Sequence, residues 1–201
     1  MIIYELDTDE ASQKRFVGTE DMSLVLTGKN KHNFLDLFGC RGDKKADRWP
    51  DPPPGIRWFD DDGRNLNKYK DPDISYVTVG GYVLSPRAAE LLRPIISDVA
   101  ELLPLPFQGE TWYFMNVFNH IDVVDKANSR YKIYSNGKTG YLIRPGFFAD
   151  KVPHAKLFTT PYTSPAIYYA EHRPDDNPNT FKNVIERNKL FGIKFHKVWE
   201  G

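Results

Sequence analysis

Residues 166–201 read AIYYAEHRPDDNPNTFKNVIERNKLFGIKFHKVWEG, and their patterning sets the fold class. Ala166–Glu171 is short, aromatic and bounded by polar residues, which predicts a strand. After Asn177-Pro178-Asn179, either Asn179 or Thr180 supplies a helix cap. Phe181, Val184, Ile185 and Leu190 or Phe191 then recur at helical spacing, and Gly192 is placed to close that helix in the left-handed conformation. Ile193, Phe195 and Trp199 predict a final strand. Strand, helix and strand in direct succession, with no internal repeat, point to an α+β protein.

Upstream, Asn136-Gly137 suits a tight turn between Tyr131–Tyr134 and Thr139–Arg144, so a hairpin is expected there. Thr111–Val124 carries the longest strand signal. By period two, Trp112, Phe114, Asn116, Phe118, His120 and Asp122 share one face. Ser85 and Pro86 offer a cap and a favoured first residue to a helix with Ala88, Leu91, Leu92, Ile95, Ile96, Val99, Leu102 and Leu103 on its buried stripe. Pro94 predicts a kink or break near Arg93, and Pro104 and Pro106 a stop. Further strands are expected at 1–7, 22–27, 76–84 and 156–160. Between 39 and 72 the texture turns to Pro, Gly and Asp, as in Pro52-Pro53-Pro54-Gly55 and Asp60-Asp61-Asp62-Gly63, which predicts a long irregular loop. The expectation is therefore an α+β fold whose sheet is mixed or mainly antiparallel, with two principal helices at about 85–103 and 179–191. The chain divides into an N-terminal strand-and-loop lobe, 1–74, and an α+β domain, 75–201, or forms one continuous domain over 1–201.

The 27 basic and 27 acidic residues cancel. No global field draws the chain to nucleic acid or an anionic membrane. Cys40 is the one cysteine, so neither an internal disulfide nor a paired-cysteine metal or redox site can form. The first residues lack a basic region followed by an apolar run, and no stretch approaches a membrane span. A cytoplasmic address is the expectation.

His120-Ile121-Asp122 with Asp125 is the candidate chemical constellation. A histidine and an aspartate two apart on a strand project to one side, as an acid–base pair or metal ligands would require. The competing reading makes Asp125 a turn cap for Ala127 or Asn128. Cys40 lies beside Arg41, a cation that favours thiolate, without a placed histidine base. The triple aspartate at 60–62 lacks the alternating ligands of a calcium loop and reads as an acidic turn or a contact for a basic partner. His32, His154, His172 and His196 stand apart in the sequence. Trp49, Trp58 and Phe59 either anchor the irregular segment to the body or form a recognition loop.

Leu84-Ser85-Pro86-Arg87-Ala88-Ala89-Glu90-Leu91-Leu92, followed by Glu101-Leu102-Leu103-Pro104-Leu105, resembles the Imm11 family of bacterial immunity proteins. The likeness continues through Tyr113-Phe114-Met115-Asn116-Val117 and Asp122-Val123-Val124-Asp125-Lys126 to Ser129, and returns over 181–201. Pro94 and the segment 39–73 depart from it. The resemblance implies a non-enzymatic protein of a polymorphic toxin system that binds and silences a co-encoded toxin. No cofactor or metal is expected, the balanced charge argues against a nucleic-acid or membrane partner, and a monomer or homodimer is expected. The resemblance carries no catalytic residue onto this chain. Partner anchors are expected at Trp49, Trp58 and Phe59 with Asp60, Asp61 and Asp62, which suit a basic toxin. The alternative is a metal-dependent hydrolase using His120, Asp122 and Asp125.

Overall fold

Strand β1 (Ile2–Thr8) alternates across its sheet, so Ile2, Tyr4 and Leu6 enter one core while Ile3 enters another. The computed structural model describes residues 1–8, 15–18, 34–59, 69–77, 81–163, 166–172 and 177–201. The strand expected at 22–27 lies outside them, as does His32. β1 runs antiparallel between β11 (Tyr168–Glu171) and β12 (Ile193–Glu200), with β10 (Leu157–Phe158) beyond β11. First and last strands are thus neighbours, and the Met1 amino group donates to the Gly201 carbonyl.

A second sheet has the order β3 (Ile56–Phe59), β2 (Arg15–Gly18), β4 (Ile74–Val77), β5 (Gly81–Leu84), β7 (Glu110–Val117), β6 (Ala100–Phe107). Only β2 and β4 pair in parallel, so the sheet is mixed and mainly antiparallel. A division between 74 and 75 falls inside β4. Strands from both sides of that point pair with one another in both of these sheets. β8 (Val124–Ile133) and β9 (Thr139–Phe147) make a two-stranded sheet of their own around the Asn136–Gly137 turn. The molecule is richer in strand than in helix.

Three α-helices occur among the described residues: α1 (Phe34–Phe38), α2 (Pro86–Ile96) and α3 (Phe181–Arg187). In α2 the Ser85 hydroxyl accepts from the Ala88 amide at 3.2 Å, and Ala88, Ala89, Leu92 and Ile96 form the buried stripe. The helix does not reach 103. Pro94 lacks the amide that the Glu90 carbonyl would use, and α2 ends two residues beyond it. Residues 100–107 instead form β6, at the sheet edge. There Leu103, Leu105 and Phe107 point inward while Pro104 and Pro106 are exposed. Prolines read from sequence as a helix stop are tolerated in an edge strand, where no further strand needs their amides.

α3 is likewise shorter than 179–191. The Thr180 hydroxyl accepts from the Asn183 amide and the helix buries Phe181, Val184 and Ile185, but it ends at Arg187: Lys189, with φ 50°, takes the left-handed turn after the Asn188 cap, and Gly192, expected to close the helix, lies five residues beyond its end with φ 115°. The strand expected to run to Val124 stops at Val117. Phe118 and Asn119 hand their amides to the Val99 carbonyl, and the chain crosses to Thr159, which the Asn119 carbonyl and Ile121 amide bracket at 2.9 Å each. The period-two face therefore holds for Trp112, Phe114 and Asn116 and is lost for Phe118, His120 and Asp122.

Residues of the motif at 84–92 tie elements together. Arg87 grips the Asp73 carboxylate with both contacts at 3.1 Å and donates to the Asn188 carbonyl at 2.7 Å, while Asp73 accepts from the Phe191 amide at 2.9 Å. One ion pair thereby joins the start of α2, the end of α3 and the entry to β4.

Candidate functional site

His120, Asp122 and Asp125 each find a separate local partner. His120 Nδ1 lies 2.8 Å from Thr159 Oγ1. Asp122 accepts from the Tyr162 hydroxyl at 3.1 Å. Asp125 accepts from the amides of Ala127 and Asn128 at 3.0 and 3.2 Å and from the Asn128 side chain at 2.6 Å. The Asn128 side chain, helped by those amides, holds the Asp125 carboxyl below the usual carboxylate range. Among the described residues no three histidine, cysteine or carboxylate side chains are grouped to hold a metal ion.

Trp49 and Trp58, read from sequence as anchors of the irregular segment or as partner contacts, are partly buried and pack against the main core. Trp49 is half-buried, donates from Nε1 to the Pro104 carbonyl at 2.9 Å, and meets Phe38 and Phe114. Trp58 stacks on Phe16 at 3.7 Å between ring centroids and abuts Phe107 and Trp112 edge-on. Both indoles fasten the Pro- and Gly-rich segment to the sheet. Phe59 closes β3, and its side chain lies outside the described residues together with Asp60, Asp61 and Asp62.

Cys40 is buried, and its Sγ donates to the Met115 carbonyl at 3.7 Å. Burial pushes the thiol up to about 11, overriding the neighbouring cation. Beside it, buried Lys45 donates to the carbonyls of Asp36, Leu37 and Gly39 at 2.8, 3.1 and 2.6 Å, capping α1. The Lys45 amide donates to the Glu101 carboxylate, which also accepts from Asn116 Nδ2 at 2.8 Å. This polar cluster is a tether between the 36–46 segment and the β6–β7 edge.

A different surface stands out. The β8–β9 hairpin has no buried residue from Arg130 to Arg144. It presents Ile133, Tyr134, Tyr141 and Ile143 at 59, 47, 65 and 44% exposure, four of the six strongly exposed large hydrophobic residues among those described. From Lys126 to Arg144 the sequence also holds five cations, Lys126, Arg130, Lys132, Lys138 and Arg144, and no carboxylate. An isolated two-stranded hairpin is marginal in water, so its base matters. Val124 and Phe147 are buried in the second core. At the register shift after Asp125, the Ser129 hydroxyl donates to the Asp125 carbonyl at 2.5 Å and accepts from the Gly146 amide at 2.8 Å. Lys126 Nζ sits 3.9 Å from the ring centre of Tyr162, another exposed aromatic. Sequence reasoning found the hairpin and missed its surface, although the cationic run and the apolar residues at consecutive positions were there to be read.

A cavity of about 620 Å³ opens between α2 and α3. Its polar lining among the described residues is Lys156, Asn177, Asn179, Thr180 and Arg187, which include no carboxylate, histidine or thiol. No helix among the described residues is long and apolar enough to cross a membrane. Compared with known proteins, the chain matches no protein-family model and no curated protein significantly.

Proposed function

We propose that this chain is an immunity protein that binds a co-encoded bacterial toxin in the cytoplasm and neutralises it by protein–protein contact, making and breaking no bond itself. The observation that carries the reading is the hairpin: exposed aromatic and aliphatic side chains, interspersed along the chain with cations, on a base anchored in the core. Large apolar side chains gathered in the open on one element, here on both faces of the hairpin, are a feature of interaction sites. The motif resemblance supplies the toxin. The separate engagement of His120, Asp122 and Asp125 gives no support to the hydrolase alternative. The test is co-expression with the toxin domain encoded in the adjacent reading frame. Restored growth and co-purification of both chains are expected, and failure of both rejects the reading.

A further inference from the structure

Resting on that reading, we infer that the hairpin tip from Arg130 to Arg144 is the docking surface and that it fits an acidic protein surface with an apolar centre. The sign of charge carries the first half. The whole chain is neutral, yet Lys126, Arg130, Lys132, Lys138 and Arg144 fall in one run of the sequence that holds no carboxylate, with Asp122 just outside the run acting on Lys126. None of the five forms an ion pair with a described residue. A partner bearing carboxylates would supply the missing counter-charge and be steered toward this end of the molecule.

The apolar residues carry the second half. Tyr134 and Tyr141 are suited to protein and nucleic-acid surfaces alike, since every base has a face on which a ring can stack. Ile133 and Ile143 are not. Exposed aliphatic side chains gain nothing from phosphates and are stabilised by entering an apolar pocket, with tyrosine and arginine around them as interfaces favour. The base also fits a binding role. Anchoring Val124, Phe147 and the Ser129–Gly146 contact before association reduces the ordering that binding must impose.

The test uses the full chain and a catalytically inactive form of the adjacent toxin domain, titrated calorimetrically. One variant combines Arg130→Glu with Lys132→Glu, a second combines Tyr141→Ala with Ile143→Ala, and exposed Arg57→Glu on β3 is the control. Each hairpin variant is expected to weaken binding about 100-fold and the control less than about threefold, with unchanged melting curves because the substituted side chains are exposed. Raising sodium chloride from about 50 to about 300 mM is expected to weaken the unaltered chain about tenfold. If that chain binds and both hairpin variants bind as tightly, the docking inference falls and the immunity reading stands. If that chain does not bind at all, the immunity reading falls and takes the inference with it. Binding of a single-stranded oligonucleotide through these residues, with toxin binding untouched by their replacement, would assign the tip to nucleic acid and overturn the inference.

Discussion

Cys40 has Arg41 beside it in the chain, but its thiol answers to the apolar core around it. With an ordinary value of 9.0 and a buried value near 11, the thiol stays protonated in the folded protein over a range in which the unfolded chain has lost its proton. The folded state binds the extra proton in that window, so stability is fully present below pH 9 and falls as pH rises toward 11, by about 2–3 kcal/mol from this group. Tyr82 and Tyr168, pushed up by burial, act with the same sign. Urea denaturation at pH 7 and at increasing alkaline pH will show the decline, and iodoacetamide at pH 8 will label Cys40 only after unfolding. Lys45 is the opposite case, a charge held inside by three carbonyls although burial pulls its pKa down. Lys45→Ala leaves those oxygens without a donor, and a loss of about 2–4 kcal/mol is expected in the same measurement.

Among the elements, the hairpin base rests on close backbone approach. A Cβ on Gly146 would lie 2.8 Å from the Asn128 carbonyl oxygen and 3.2 Å from that of Asp125, both main-chain atoms with little freedom to withdraw. Gly146→Ala is therefore expected to destabilise the protein by about 2–4 kcal/mol and to weaken toxin binding with it, read from melting and titration together. Asn128→Ala removes the leading cause of the lowered Asp125 pKa. The carboxylate's bonds stabilise the bulge above pH 3.8 and are lost as pH falls through the lower folded value, so carboxyl NMR of the variant will move the midpoint up toward 3.8. Trp58→Ala tests the other surface. Because its partly buried indole stacks on Phe16, it is expected to cost about 3 kcal/mol of stability while leaving the affinity of the folded fraction unchanged. The Asn136-Gly137 turn was legible because a tight turn depends on its own residues. The extent of β8 and β9, and the conversion of 100–107 from helix to strand, were not, because an edge strand accepts prolines only once a neighbouring strand exists to pair its other side.

For the molecule as a whole, the first strand is central rather than peripheral. β1 fills the gap between β11 and β12, and its two faces feed both cores. Deleting residues 1–8 is therefore expected to abolish folding, seen as loss of the circular-dichroism spectrum and of a compact gel-filtration peak. Of the two roles the sequence left open for Trp49 and Trp58, anchor or recognition loop, the packing supports the anchor, with part of each indole still accessible. The hairpin surface, by contrast, follows from side chains that the fold leaves uncovered. Near neighbours were enough to place the Ser85 cap, a cap at Asn179 or Thr180, the Asn-Gly turn, the neutral net charge and the lone cysteine, but not the end of α3, where Lys189 rather than Gly192 takes the left-handed turn. The assembled fold alone sets Trp58 partly buried against Phe16, keeps the proton on Cys40 and leaves Tyr141 in solvent. Each of these turns on which distant strand or helix displaces water from a side chain, and desolvation is set by the assembled fold and not by the adjoining residues.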